Sequence, residues 1–190
     1  MNEVKFIEAS KRERFSLSKI IPTMIKNIKE YYVYYSDEFK YECWDLQLYL
    51  SKDGIIYKKF IVEAKIRDVD YDSLMLESKK LKDLKSIKKR WIKEGITNEG
   101  ETDILYICFT PSGTYVYNIS KLIEIDAECL KHIQYIECPK QTCGDTTEIN
   151  KPVYFLTKDL AKKIDFIFNE NDYQKSLITP IFKKKIGFEI

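Results

Sequence analysis

Histidine is nearly absent: His132 is the only one in 190 residues. Two-histidine zinc sites, His-based catalytic triads and histidine-metal nuclease motifs are therefore excluded, and acidic and basic side chains are left to carry any chemistry. Arginine is scarce as well, with Arg12, Arg14, Arg67 and Arg90 the only four among 32 basic residues. Reading guanine in a major groove leans on bidentate arginine, so recognition of nucleic acid by backbone or shape is the better expectation. No run approaches the ~20 consecutive apolar residues that span a bilayer, so no membrane association is expected. The opening residues, MNEVKFIEASKRER, lack the basic-then-apolar order of a secretory leader. Five cysteines (Cys43, Cys108, Cys129, Cys138, Cys143) are an odd number without dense spacing. They read as reduced thiols of a cytoplasmic protein. Six glycines and five prolines serve mostly as turn punctuation, and no repeat, low-complexity tract or flexible linker occurs. One domain over residues 1–190 is the expectation.

What the chain has in quantity is apolar and charged side chains, 44% and 33% of the residues. That is enough to build a core without disulfides and too structured a mixture for disorder. The net charge of +2 conceals an uneven layout. Between Lys79 and Lys93 the chain reads KKLKDLKSIKKRWIK, eight basic side chains to the single acid Asp83, whereas acids gather between Glu42 and Asp72. Such a split suits a surface for an anionic polymer beside a site for a cation, although a lysine run alone is more often a solvated face.

Apolar residues Ile20, Ile21, Met24, Ile25 and Ile28 predict a helix over Lys19–Glu30, capped by Ser18, with Pro22 in its first turn. Strands are expected at Tyr31–Tyr35, Tyr41–Leu50 and Tyr57–Arg67, the last two joined through the turn SKDG. A second helix is expected from Ser73 to about Lys93, with Leu81, Leu84, Ile87 and Trp91 on one face and Gly95 as its stop. Ile104–Phe109 is continuously apolar, as a strand buried on both faces would be, and Tyr115–Ile119 alternates. Beyond that, Val153–Leu156 reads as a short strand, Lys158–Phe168 as a helix and Ala127–Asn150 as an irregular excursion.

Alternation sorts the second and third strands into faces. Trp44, Leu46, Leu48 and Leu50 point one way, with Phe60, Val62, Ala64 and Ile66. Asp45 and Gln47 point the other way, with Glu63, Lys65 and Arg67. A hairpin with its apolar faces on a common core then brings Asp45, Glu63 and Lys65 together. Two carboxylates can hold a hard divalent ion such as magnesium, and an ammonium can orient water and offset charge on a phosphoryl centre. The same trio also occurs on ordinary exposed hairpins, where Glu and Lys pair across strands.

The order α-β-β-β-α-β, with WDL in one strand and IVEAK in the next, resembles the PD-(D/E)xK nuclease superfamily, which has the restriction-endonuclease-like fold. The resemblance spans roughly residues 19–119, with Trp44 where the family's proline would stand. It implies an α/β fold, a mixed sheet flanked by helices, followed here by an irregular C-terminal extension over about 120–190. It further implies a metal-dependent deoxyribonuclease, of the endonuclease kind, in which Asp45 and Glu63 hold Mg2+ (or Mn2+) and Lys65 assists the attacking water. Many members carry a further Glu on the first helix. Glu13 and Glu30 are both read here as structural, Glu13 closing a capping box with Ser10.

Gln47 and Arg67 are candidates to touch phosphate or support the metal shell, and Glu77 either reaches the site or sits near the helix start. Lys79, Lys82, Lys89, Arg90 and Lys93 are expected to be exposed and to bind DNA by its backbone. Asp68, Asp70 and Asp72 read as loop acids, with Asp72 a candidate helix cap. The tyrosine block could stack on bases but is assigned to strand packing, and Cys129–Cys143 with His132 makes a poor zinc site. Cutting both strands with so small a domain is compatible with a homodimer. The alternative function is a catalytically silent binding or assembly module on the same fold.

Overall fold

A computed structural model describes residues 3–36, 43–139 and 147–178. A long helix α1 (Glu3–Met24) leads into β1 (Glu30–Tyr35), β2 (Leu46–Lys52) and β3 (Ile55–Ile66). Then come β4 (Ser73–Glu77), α2 (Ser78–Lys93), β5 (Thr102–Thr110), β6 (Gly113–Asn118) and the short α3 (Ile119–Glu124). The chain closes with β7 (Gln134–Pro139), β8 (Glu148–Thr157), β9 (Lys162–Ile164) and α4 (Glu170–Ile178). Six strands form a mixed sheet in the order β1-β2-β3-β5-β6-β9, in which only β3 and β5 run parallel. A smaller antiparallel sheet has the order β4-β8-β7. The expected α-β-β-β-α-β core is present, with β4 inserted before its second helix. No helix among the described residues is long and apolar enough to cross a membrane.

Two apolar layers enclose the main sheet. On one side Leu17, Ile20 and Ile21 of α1, with Ile25 just beyond it, pack on Leu46, Leu48, Val62, Ala64, Leu105, Ile107 and Phe109. On the other, Leu81, Leu84, Ile87 and Trp91 of α2 meet Ile61, Ile104, Tyr106 and Cys108, with Leu74, Leu76 and Leu156 of the second sheet. Every residue of β5 is buried, which explains its unbroken apolar run.

Local chemistry fixes the joints. The β2–β3 turn is Asp53-Gly54, both at positive φ (53° and 76°), the two-residue form that matches strand twist. Glu30 holds that turn by accepting from Ser51 Oγ and the Gly54 amide, so its role is structural, as expected. The α2 helix ends at Gly95 (φ 69°), with Gly95 N–H donating to Ile92 and Ile96 N–H to Trp91. This is the left-handed cap that glycine permits at low cost.

Several elements differ from the sequence expectation. The first helix starts sixteen residues earlier, at Glu3, and Pro22 falls in its last turn. Ser18 does not cap it but returns its hydroxyl to the Phe15 carbonyl. Segment Ser73–Glu77 is a strand rather than the start of α2; Leu74 and Leu76 are buried while Ser73, Met75 and Glu77 are half-buried. The cap position of α2 is therefore Glu77, not Asp72. Trp44 and Cys43 precede β2 and pack against the core on the α2 side, so strand alternation does not extend to Trp44. Tyr41, in the expected second strand, lies outside the described residues, as does Cys143.

The last third is more regular than its composition suggests. Residues expected to form a helix at Lys158–Phe168 make a single 3-10 turn and β9, with Ile164, Phe166 and Phe168 packing at every second position. β8 pairs with β4, and β9 with β6, so this segment completes both sheets.

Replacing Leu76 by Ala should cost about 2–5 kcal/mol, the range for truncating a leucine in a tight core. Tyr71→Ala, at a residue 54% exposed, should stay within about 0.5 kcal/mol. Urea unfolding midpoints of both variants check the strand assignment of this segment.

Candidate active site

The last pair in the β2–β3 ladder is Leu46 with Val62, yet β3 continues to Ile66 beside β5. From Glu63 onward β3 has no β2 partner among the described residues. Asp45 fills the first place in that gap. Its amide donates to the Val62 carbonyl at 2.9 Å, and its Oδ2 accepts the Ala64 amide at 2.7 Å. A carboxylate thus substitutes for the missing strand, and its second oxygen can serve another partner.

Both helices reach into the same gap. Glu63 is 4% exposed, and Lys80 Nζ of α2 lies 2.9 Å from its Oε1. Glu63 Oε2 is buried and has no hydrogen-bond partner among the described residues. From the opposite side Glu13 of α1 extends to Lys65, with Nζ 3.6 Å from Oε1. Asp45 acts on both Glu63 and Glu13, and Lys80 and Lys65 act on both as well, so these five groups form one electrostatic unit. Asp45, Glu63 and Lys65 are brought together as alternation implied.

Burial pushes the Glu63 carboxyl well above the usual carboxylate range, and neighbouring Asp45 adds to it. Burial likewise pushes Glu13 up to about 7, against the pull of Lys65. Lys65 is raised chiefly by the Glu13 carboxylate. Burial also raises the Cys43 thiol, which lies near Lys80 and Asp83.

Two members of this unit, Glu13 and Lys80, are not among the residues that the sequence pattern points to. Glu13 does not close a capping box; it sits mid-helix, one turn before buried Leu17. Carrying the apolar stripe of Leu17 and Ile20 back one turn lands on Glu13, a polar residue at a buried phase. Lys80 was counted within the lysine run, but it lies one turn ahead of buried Leu84 and points inward.

The supporting candidates divide. Gln47 stays on the site's face of β2 and accepts from the Tyr49 hydroxyl. Arg67 turns away toward β4, where it and the Tyr106 hydroxyl both donate to the Met75 carbonyl, at 3.1 and 2.6 Å. Glu77 does not reach the site, because β4 carries it to Lys151 of β8 at 3.2 Å. Lys79, Lys82, Lys89, Arg90 and Lys93 are all exposed, with Lys79 bonded to Asp83 at 2.6 Å. Asp70 accepts from Ser112 in its loop, and exposed His132 pairs with Glu128.

No group of three or more His, Cys, Asp and Glu side chains among the described residues is drawn close enough to hold a metal ion. Glu13 and Glu63 are instead each paired with a lysine, Lys65 and Lys80. The donor set nonetheless suits a hard divalent cation: carboxylate oxygens of Asp45 and Glu63, including the unpartnered Glu63 Oε2, with Glu13 beside them.

Comparison with known proteins adds little. No family model matches the chain, and no curated protein matches it. The solved structure of D212, a nuclease from a fusselovirus, aligns over 79% of each chain with 12% identity and a TM-score of 0.39. A likeness of that size leaves the function to the residues themselves.

The raised Glu13 carboxyl has a consequence for stability. Folded Glu13 binds its proton more tightly than unfolded Glu13, so its contribution is present below about pH 4.5 and lost as pH rises through about 7. Metal-free wild-type protein should therefore unfold more easily at pH 8 than at pH 5. Glu13→Gln should remove up to roughly 3 kcal/mol of that difference, by the exchange of about 1.4 kcal/mol per pKa unit. Urea titrations at both pH values test it, and an equal loss in the variant would contradict the assignment.

Proposed function

We propose that the chain is a divalent-metal-dependent phosphodiester hydrolase acting on DNA, with its active centre at the divergence of β2 and β3. The observation that carries the reading is the meeting of Asp45, Glu63, Lys65 and Glu13 where β2 and β3 diverge, with a buried carboxylate oxygen on Glu63 that has no hydrogen-bond partner among the described residues. An isolated buried carboxylate oxygen is costly, and a cation is the natural remedy. It agrees with the family resemblance of Asp45 and the Glu63-Ala64-Lys65 motif.

Asp45 and Glu63 would hold the ion. Bound there, Mg2+ or Mn2+ would supply a Lewis acid for the phosphoryl oxygens. Lys65 would orient the attacking water and offset charge that builds on the phosphorus centre. Glu13, poised near neutral pH and 3.6 Å from Lys65, is placed to accept the proton that water releases. Lys80 would neutralise Glu63 until the cation arrives. The exposed Lys79, Lys82, Lys89, Arg90 and Lys93 of α2 would screen the phosphate backbone.

One observation favours the other reading, a silent binding module: both glutamates already have a lysine partner. Metal decides between them. Incubated with linear and circular DNA, the protein should cleave with Mg2+ and stop when the ion is chelated. Asp45→Ala and Glu63→Ala should each lower the rate about 10³-fold or more, as loss of several kcal/mol of charge stabilisation requires. Cleavage at the wild-type rate by either variant contradicts that residue's role.

The α2 side chains should set affinity rather than rate. Lys89→Ser with Arg90→Ser should flatten the log-affinity against log-salt slope by roughly 0.9 per lost duplex phosphate contact. An unchanged slope would make them a solvated face.

A further inference from the structure

The tyrosine block of β1 is largely outside the core, contrary to the packing role expected for it. Tyr31, Tyr34 and Tyr35 are exposed, Tyr34 to 53%. β1 is the outer strand of the main sheet. Register determines which of its tyrosines look toward the active cleft. Tyr32 lies opposite Tyr49 and Tyr34 opposite Gln47, and Gln47 in turn lies opposite Ile61. Directly opposed residues share a face of an antiparallel pair. Ile61 belongs to the core shared with α2, so Tyr32, Tyr34, Gln47 and Tyr49 stand on that face of the sheet.

Asp45, just before β2, and Gln47 and Tyr49 on it succeed one another at every second residue, about 6.8 Å per step in a strand. The row begins at the active cleft and runs outward, at a stride close to that of nucleotides in an extended single strand. The main contacts of α2 are with β4, β5 and β8, and on this part of the hairpin Tyr34 is exposed while Gln47 and Tyr49 are half-buried. Tyr34 and Tyr49 meet edge to face, with ring centroids 5.5 Å apart and an interplanar angle of 83°. The Tyr49 hydroxyl donates to Gln47 Oε1, which ties the ring to the strand. Over the same sheet face α2 displays Lys82, Lys85, Lys89 and Arg90 to solvent.

Aromatic rings beside a row of cations hold single-stranded nucleic acid: bases stack on the rings while phosphates meet the ammonium groups. A duplex offers its bases no such contact, because they are stacked on each other. We infer that the face formed by Tyr32, Tyr34 and Tyr49 binds an unpaired strand of nucleic acid and leads it to the cleft at Asp45 and Glu63. Its purpose rests on the hydrolase reading; its binding does not.

The test is binding by the full chain with a chelator present, so that nothing is cut. Fluorescence anisotropy is followed for a labelled oligothymidylate of about 16 nucleotides, a footprint within reach of one small domain, and for a mixed-sequence duplex of equal length. The single strand should bind more tightly than the duplex. Tyr34→Ala and Tyr49→Ala should each weaken it roughly 5- to 150-fold, the span measured for one stacked base. Tyr34→Phe, which keeps the ring, should restore affinity, and duplex binding should be indifferent to all three. Strand binding that persists without any metal-dependent cleavage would retire the hydrolase reading and leave this inference standing. Equal affinity for duplex and single strand, no effect of Tyr34→Ala, or a dimer in sedimentation that Tyr34→Ala dissolves would each overturn it.

Discussion

The hydrogen bond from the Ala64 amide to Asp45 Oδ2 organises this protein's candidate site. Where β2 stops, the edge of β3 would present unpaired amides to the interior, and an unpaired buried amide is costly. A side-chain carboxylate takes the place of a strand. Beyond that substitute, groups from both flanking helices reach Glu63 and Lys65. A β2 strand extended by a few residues would close the ladder and abolish the cleft. The site is a consequence of where one strand ends.

The cleft collects acids faster than it neutralises them. Glu13 and Glu63 are both drawn toward their neutral forms by burial, although each has a lysine near it. Such tension is characteristic of functional sites, since a fold selected for stability alone would replace the groups or pair them fully. A cation bound by Asp45 and Glu63 would relieve it. The two lysines, one from β3 and one from α2, keep the metal-free cleft tolerable.

Sequence patterns disclosed the part of this arrangement that lies on regular strands. Alternation placed Glu63 and Lys65 across from Asp45, because β2 and β3 form a tight hairpin whose register the Asp53-Gly54 turn fixes. Glu13 is not legible in the pattern, because a polar residue at a buried phase breaks the apolar stripe that traces the helix and the stripe becomes clear only near Lys19. Lys80 was hidden by its neighbours, since seven other basic residues in the same run obscured the one that turns inward. The strand Ser73–Glu77 was merged with α2 because Leu74, Leu81 and Leu84 also fit a helical period. Period two and period 3.6 are hard to separate over five residues. That boundary puts Glu77 near the site, and alternation carried one residue past the end of β3 puts Arg67 there; β4 draws both away.

The charge asymmetry also acquires a spatial meaning. Asp45 and Glu63 stand on the sheet face that α2 covers, the face that also carries Tyr32, Tyr34 and Tyr49, whereas Glu13 comes from α1 on the other side. The hydrolase reading depends on a cation entering the gap. The most direct measurement is anomalous diffraction from a crystal soaked in Mn2+. The account predicts a peak within about 2.0–2.6 Å of carboxylate oxygens from both Asp45 and Glu63, with Lys80 withdrawn from Glu63. A saturating soak that leaves Lys80 on Glu63 and shows no peak between the two acids would contradict it.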